Sequence, residues 1–213
     1  MATTTSRYGS FYDEKRAASD LRKYREKGPI ASTQALIEAL RAEGVEGATL
    51  LDIGGGIGAI QHELIDAGVT DATSVEASAS YLDAAREESQ RRGHEGRVTY
   101  LHGDFVDLVE SVPAADIVTL DRVINVYPDW ERLVGLSAER AQRIYGLVYP
   151  RDTRFVRFII LAMNLVLRVF RKQVRACVHP VDAIERVVRE QGLSPHITEN
   201  VGPAWQVAIY RRL

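Results

Sequence analysis

The residues best suited to chemistry in this sequence are two carboxylates and the glycines between them. Asp52 ends a short apolar run, and Glu76 follows 18 residues after the last of these glycines. The turn after Asp52 contains Gly54, Gly55, Gly56 and Gly58. Glycine lets the backbone turn sharply and lets a ligand approach without a Cβ in the way. Because the N–H groups of a following helix point back at such a turn, the pattern predicts a nucleotide-type pocket.

Two kinds of nucleotide site fit this turn. Gly54, Gly56 and Ala59 match the G-x-G-x-x-G/A fingerprint of a dinucleotide site, as in an NAD-dependent oxidoreductase. Asp52 argues against that interpretation, because a carboxylate so close to the glycines would repel a pyrophosphate. The same carboxylate suits the amino group of a methionine moiety, either directly or through water.

The D-x-G-x-G-x-G spacing of Asp52, Gly54, Gly56 and Gly58 resembles the methyl-donor site of class I S-adenosylmethionine (SAM) methyltransferases. The resemblance extends over residues 45–212, almost the whole chain. It implies an α/β Rossmann-like fold whose sheet has the strand order 3-2-1-4-5-7-6, with the last strand antiparallel. It also implies SAM as the cofactor.

Further residues take cofactor-binding roles in this interpretation. Glu76 ends the second predicted strand, where a carboxylate can accept hydrogen bonds from both ribose hydroxyls, with Ala77 beside it. The resemblance implies that Asp104 accepts from the adenine amine and that Phe105 walls the base. Asp121, at the end of the fourth predicted strand, completes the cofactor set.

The predicted catalytic residues follow the fourth strand, where the transferred methyl group should lie. If the acceptor is a carboxylate, no base is needed and Arg122 could orient it by a bidentate bond. If the acceptor is a phenol or an enol, a base must take its proton. The candidates are His179, His102 and Tyr127, in that order. Because the histidines and carboxylates lack metal-ligand spacing, we expect no catalytic metal.

Periodicity and turn residues predict the elements that position these groups. Residues 1–44 form a frayed tail and a helical cap, and residues 45–213 form the SAM-binding domain. Ser32 or Thr33 caps the second helix of the cap. The predicted strands are 48–53, 72–76, 98–101, 115–122, 144–149, 193–199 and 205–212. The predicted helices include 11–27, 131–143, 154–172 and 181–191, and a further helix, capped by Ser78 or Ser80, runs to Arg92.

The helix over 154–172 is nearly all apolar between basic flanks. Its longest uncharged run falls well short of the roughly 20 residues that a membrane span needs. Three interpretations stay open at this point. The helix belongs to the core or the cap, it forms a lid over an apolar substrate, or segment 151–175 rests on an anionic membrane surface.

Composition limits the kind of protein. Apolar residues make up 46% of the 213-residue chain, which is enough for one folded unit with a sizeable core. The net charge of −2 gives no reason to expect nucleic-acid binding. Cys177 is the lone cysteine, which excludes an internal disulfide. The first residues lack the apolar core of a secretory signal, so we expect a cytoplasmic protein.

Several C-terminal features suggest the type of acceptor. Residues 121–129, the Tyr149-Pro150-Arg151 step, the apolar helix and His179-Pro180 are similar to the C-terminal half of magnesium-protoporphyrin O-methyltransferases. The similarity favours O-methylation of a small, flat, apolar or aromatic acceptor. No Asn-Pro-Pro-Tyr follows the fourth strand, which argues against amino-nitrogen methylation. A non-catalytic SAM-binding scaffold and an NAD-dependent oxidoreductase remain as alternatives, and the oligomeric state stays open.

Overall fold

The computed structural model of the protein describes residues 13–169 and 174–212. Its seven strands form one sheet in the order β3-β2-β1-β4-β5-β7-β6. Strands β1 to β5 are parallel, and β7 runs antiparallel to both of its neighbours. The predicted fold class, strand order and direction of the last strand are therefore confirmed. The strands are β1 Thr49–Ile53, β2 Asp71–Glu76, β3 Val98–His102, β4 Ala115–Asp121, β5 Ala141–Pro150, β6 Leu193–Val201 and β7 Trp205–Arg212.

Helices precede the sheet and alternate with its strands. Two of them come before β1, as the sequence predicts. The helices are α1 Glu14–Lys27, α2 Ala31–Ala42, α3 Ala59–Asp66, α4 Ala79–Arg92, α5 Phe105–Leu108, α6 Trp130–Glu139, α7 Arg154–Val169 and α8 Val181–Glu190, with a 3-10 turn at Val109–Ser111. Residues 11, 12 and 170–172, which belong to two of the predicted helices, lie outside the described residues.

Different helices cover the two faces of the sheet, because neighbouring strand residues point to opposite sides. Leu50 of β1 belongs to a buried cluster with Leu36 of α2 and Leu64 of α3. Its neighbour Leu51 belongs to the cluster on the other face, with Leu133 of α6 and Ile184 of α8. Burial on both faces is typical of a parallel sheet. This packing holds in place the strand ends, and the site lies at those ends.

Helix α1 packs outside this core, against α4. Its Leu21 and Tyr24 cluster with Tyr81 of α4. The Tyr81 hydroxyl also donates to Asp20 of α1 at 2.7 Å. The first helix is thus attached next to the glycine turn, beside the predicted cofactor site.

The start of α2 differs from the prediction. The helix begins at Ala31 with Ile30 as its N-cap residue, and no side chain caps it. The prediction that Ser32 or Thr33 caps this helix is therefore wrong. Both side chains are buried, and the Thr33 hydroxyl donates to Asp121 at the end of β4 instead.

The boundary between α6 and β5 also differs. The helix ends at Glu139 and the strand starts at Ala141, whereas the pattern predicted a helix over 131–143. Ala141 pairs with Ala115 of β4. Residues with acceptable helix propensity are thus taken into the sheet, because tertiary pairing overrides a weak local preference.

Helix α7 is an exposed helix and not a core element. Val156 is its buried residue, whereas Phe158 is 69% exposed and Leu161 is 68% exposed. The core interpretation of the apolar stretch is therefore wrong for the described residues. Among those residues, no helix combines the length and the apolar character that crossing a membrane requires.

Candidate functional site

The site lies in the crevice at the carboxyl ends of β1, β2 and β4. The chain passes from β1 to β2 on one side and later returns to β4 on the other, so the loops diverge there. Gly54 begins the turn after β1, and its N–H donates to the carbonyl of Val75 at 2.7 Å. Gly54, Gly56 and Gly58 have φ angles of 68°, 58° and 81°, which favour glycine.

Asp52 lies under this turn and is only 1% exposed. Its Oδ1 accepts a hydrogen bond from Thr119 at 2.8 Å, and its buried Oδ2 has no hydrogen-bond partner among the described residues. Burial raises the pKa of Asp52 to about 7. A Cβ on Gly55 would lie 2.7 Å from Oδ2, so the turn passes directly over the carboxylate. An unpaired buried carboxylate oxygen fits a cationic ligand group.

Glu76 is held by backbone N–H groups. Its Oε2 accepts from Gly56 at 3.1 Å, and its Oε1 accepts from Ser78 at 2.8 Å. Burial raises the pKa of Glu76. Because each carboxylate oxygen can accept more than one hydrogen bond, both retain capacity for a ribose diol.

Asp104 and Tyr127 meet beyond the end of β3. The Tyr127 hydroxyl donates to the two Asp104 oxygens at 2.8 and 3.0 Å. Asp104 also caps α5 by accepting from the Val106 N–H at 3.0 Å. Phe105 and Ala77 line the same cavity. The structure thus places Tyr127 beside the predicted adenine residues.

Asp121 and Arg122 form a pair at the end of β4. Arg122 Nε donates to Asp121 at 3.0 Å, and its guanidinium lies 5.9 Å from the centre of the Trp205 ring. Arg122 has a φ of 59°, which non-glycine residues rarely adopt. Backbone strain of this kind is concentrated at functional sites.

Two adjoining cavities meet at this pair. The larger cavity, of about 410 Å³, runs from Glu76 and Asp104 to Trp205. The smaller cavity, of about 280 Å³, is lined by Asp52, the glycine turn and Thr33. Asp121 and Arg122 line both. They therefore lie where a cofactor in the crevice would face a second molecule.

The far end of the larger cavity is mostly apolar. Helix α7 contributes Met163 and Leu167 to its wall, and the segment after α7 contributes Val174 and Ala176. Asn125 is a polar exception in this wall. Helix α7 therefore covers a space suited to an apolar molecule.

A profile of the O-methyltransferase domain family matches residues 5–136, more than half of the chain. The chain belongs to this family. The match confirms the predicted methyltransferase class and, with it, SAM as the cofactor. By sequence, no curated protein matches this methyltransferase.

Solved structures share its fold at low identity. The magnesium protoporphyrin IX methyltransferase ChlM from Synechocystis PCC 6803, with bound SAH, is 16% identical with a TM-score of 0.66, over 100% of this chain and 89% of that one. An O-methyltransferase family protein from Burkholderia thailandensis is 19% identical with a TM-score of 0.73, over 99% and 63%. The [4+2]-cyclase SpnF is 16% identical with a TM-score of 0.71, over 99% and 96%. At these identities the likeness shows the fold alone.

The crevice of this methyltransferase fits SAM on its own geometry. Asp52 offers an unpaired oxygen for an amino group. The glycine turn leaves room where a Cβ on Gly55 would collide with Asp52 and Ser74. Glu76 and Asp104 line the continuation of the crevice at the predicted ribose and adenine positions.

The structure brings neither predicted histidine base to the cavities of the methyltransferase. His179 Nε2 donates to the Ile124 carbonyl at 3.0 Å, and its ring stacks on Trp130 at 4.5 Å. Burial lowers the pKa of His179. His102 is exposed, with Nε2 at 3.2 Å from the Ala77 carbonyl. Both rings contact backbone carbonyls of residues next to the site, those of Ile124 and Ala77.

Sequence reasoning missed several residues of the site. The Thr33 hydroxyl donates to Asp121, and the Thr119 hydroxyl donates to Asp52. Trp205 meets Arg122 from the last strand. Threonine and tryptophan at these positions carry no local motif, and only the completed sheet brings them to the crevice.

Proposed function

We propose that this protein transfers the methyl group of SAM to an oxygen of a small, largely apolar acceptor. The acceptor lies between Arg122 and helix α7. The observation that carries the proposal is the apolar end of the larger cavity, which adjoins Asp121 and Arg122 on the cofactor side. The net charge of −2 supports a small molecule over a nucleic acid as the acceptor.

When bound, SAM supplies a methyl group already activated by its sulfonium. An acceptor oxygen forms the new O–C bond while the C–S bond breaks, and S-adenosylhomocysteine is left. The protein's task is mainly to align the reactants in line. Arg122 can donate to an anionic acceptor oxygen, since its Nε is held by Asp121 and its residue lines the cavity.

The ionisation state of the acceptor follows from the cavity wall. In the described parts of the chain, no histidine lines either cavity. The Tyr127 hydroxyl, another predicted base, donates to Asp104. This arrangement favours an acceptor oxygen that is already ionised near neutral pH, as in a carboxylate or an acidic phenol or enol. Such an acceptor needs a positioning cation rather than a base.

A transfer assay with radiolabelled SAM tests the proposal. The acceptor panel contains aromatic carboxylates, acidic phenols, neutral alcohols and amines. We expect product from the ionised acceptors, and a loss of at least about tenfold in kcat/KM for Arg122→Gln. Arg189→Gln, at an exposed position of α8, is the matched control and should keep full activity. Turnover of amines in preference to oxyanions would contradict O-methylation.

The same assay addresses the scaffold alternative. A non-catalytic SAM-binding protein would bind S-adenosylhomocysteine and yet methylate no acceptor in the panel. The complete set of Asp52, Gly54, Gly56 and Glu76 at the crevice supports catalysis instead.

We also propose that segment 151–175 contacts an anionic membrane surface. Large apolar side chains of α7 face solvent, among them Phe155, Phe158, Leu161 and Leu165. The helix carries no acidic residue, and arginines lie near both of its ends. Apolar residues framed by positive charge suit the boundary of anionic lipids.

Sedimentation with vesicles tests this contact. We expect the protein to sediment with phosphatidylserine vesicles at low salt, and the double variant Phe158→Asp/Leu161→Asp to stay in the supernatant. Both side chains are exposed, so the variant should fold. Sedimentation that is equal for both proteins would rule the contact out. If α7 instead forms a dimer, the variant should have a lower molecular mass in solution than the wild type.

A further inference from the structure

Helix α7 forms part of the wall of the larger cavity, and its inner side is apolar. Val156, Ile160, Met163 and Leu167 recur at intervals of three or four residues, so they lie on one side of the helix. Val156 is buried, and Met163 and Leu167 line the cavity. This inner side therefore faces the space in which the acceptor is proposed to lie.

The opposite side of α7 combines apolar and basic residues. It consists of Arg154, Phe158, Leu161, Leu165 and Arg168, most of them two residues before a member of the inner set. Because two residues turn an α-helix by about 200°, this outer side points away from the cavity. Its three apolar side chains are 69%, 68% and 63% exposed. A single helix thus separates the cavity from an apolar outer surface that has an exposed arginine near each end.

Polar contacts attach α7 to the segment that follows it. The Asn164 side chain donates to the Ala176 carbonyl at 2.7 Å and accepts from the Ala176 N–H at 3.0 Å. The N–H of Cys177 then donates to the Asn125 carbonyl at 2.6 Å. Within α7 the buried residue is Val156. An element with so little apolar burial separates from the rest of a protein at a low cost in free energy.

The cavity wall selects for molecules that dissolve in lipid. Val174 and Ala176 extend the apolar wall that Met163 and Leu167 begin. Each CH₂ group favours transfer from water into an apolar phase by about fourfold, so a molecule that fits this wall concentrates in a bilayer. The outer side of α7 fits the boundary of an anionic bilayer, because apolar side chains lie there between positive charges.

We infer that the acceptor is a lipid-dissolved amphiphile, with an apolar body and one ionised oxygen, and that it enters the larger cavity directly from an anionic bilayer past α7. This inference rests on the proposed function and names its substrate class. Arg122 receives the ionised oxygen, and the inner side of α7 contacts the apolar body.

Transfer of a fluorescent amphiphile from vesicles tests this route without any turnover. The probe is dansylaminoundecanoate, and the protein is saturated with S-adenosylhomocysteine. Energy transfer from tryptophan to the dansyl group reports arrival of the probe, since Trp205 lines the cavity. Entry from the bilayer requires collision of protein and vesicle, so its rate depends on vesicle concentration. Transfer through water is limited by escape of the probe from the vesicle, and its rate does not.

We expect the transfer rate to rise by about fivefold or more when phosphatidylserine vesicles are made roughly tenfold more concentrated. With phosphatidylcholine vesicles the rate should stay constant, because the arginines then meet no anionic surface. This comparison uses the wild-type protein alone, so it does not depend on how any variant folds.

Paired variants connect the route to α7. Phe158→Asp/Leu161→Asp should bind the probe from water with wild-type affinity and lose the dependence on vesicle concentration, because both side chains are exposed. Arg186→Gln/Arg189→Gln, at exposed positions of α8, changes the net charge equally and should behave as the wild type.

Three results overturn the inference. They are a wild-type rate that does not depend on the concentration of phosphatidylserine vesicles, an equal dependence in the α7 variant, and no binding of the probe. Sedimentation with vesicles together with a constant rate would keep the membrane contact and remove the route. Transfer by collision without methylation of any acceptor in the panel would keep the route and refute the proposed function instead.

Discussion

The hydroxyl of Thr33, in helix α2, donates a hydrogen bond to the Asp121 carboxylate at the end of β4. The other Asp121 oxygen accepts from Arg122 at 3.0 Å. A residue that precedes the first strand thus helps to hold the pair at the junction of the two cavities. The N-terminal helices therefore take part in shaping the site.

Replacing Thr33 by valine removes this bond at nearly constant volume. We expect Thr33→Val to lower the free energy of unfolding by about 1–3 kcal/mol, because a largely buried carboxylate oxygen loses its donor. Its affinity for S-adenosylhomocysteine should fall as well. Urea denaturation and calorimetric titration measure the two effects. Thr70→Val is the control, since its hydroxyl bonds the Ala48 carbonyl away from the crevice at 3.3 Å. A loss of affinity in both variants would argue against a local role for Thr33.

Asp52 should make cofactor binding depend on pH near neutrality. Burial raises the pKa of the free carboxyl to about 7, and a cationic amino group beside Oδ2 would favour its ionised form. Binding then expels a proton, so affinity for S-adenosylhomocysteine should fall as pH drops below 7, by up to about tenfold per pH unit. Titrations between about pH 5.5 and 7.5 measure the slope.

Asp52→Asn is the control for this slope and should bind weakly with a flat profile over the same range. The stability of the free protein changes with pH in the opposite direction to the cofactor affinity. Because the pKa is raised on folding, the stability that the neutral carboxyl contributes is lost as pH rises through about 7. A wild-type affinity that does not change with pH would contradict the contact between Asp52 and the amino group.

Gly55 should tolerate no side chain. A Cβ there would lie 2.7 Å from Asp52 Oδ2 and 2.9 Å from Ser74 Oγ, both buried. We expect Gly55→Ala to lose cofactor affinity by at least about a hundredfold, with a stability loss of about 1–3 kcal/mol from overpacking. Gly135→Ala, inside α6 with its nearest neighbour at 3.7 Å, should gain about 0.5–1 kcal/mol and bind normally. Normal binding by Gly55→Ala would show that the cofactor does not use this turn.

Glu76 should recognise the ribose diol. Glu76→Ala is expected to bind S-adenosylhomocysteine about a hundredfold less tightly, because two charge-assisted hydrogen bonds are lost. Since Glu76 also holds Gly56 and Ser78, a second comparison separates the two roles. Adenosine should compete much better than 2′,3′-dideoxyadenosine against the wild type, and equally poorly against the variant. Equal competition by both nucleosides against the wild type would remove Glu76 from the ribose site.

Local sequence features predicted the first strand, the glycine turn after it and the carboxylates that follow the strands. The apolar run before Asp52 and the glycines after it identify β1 and its turn, because strand and turn chemistry act over neighbouring residues. Glu76, at the end of a short strand, and Asp104, two residues after the end of another, follow in the same way. The strand order came from the family resemblance that this turn carries.

Features that depend on distant partners could not be predicted in this way. The burial of an apolar helix depends on what packs against it, so the sequence of α7 fits a core helix and an exposed helix equally well. His179 follows α7 near the predicted site, yet its ring turns to Trp130 and Ile124. Thr33 and Trp205 reach the crevice from opposite ends of the chain, where no local pattern marks them.

The most direct test is a parallel calorimetric titration of the wild-type protein with S-adenosylhomocysteine and NAD. We predict stoichiometric binding of S-adenosylhomocysteine and no binding of NAD, with loss of the former in Asp52→Ala and Glu76→Ala. Binding of NAD without S-adenosylhomocysteine would contradict the assignment of the crevice, and the proposed methyl transfer would fall with it.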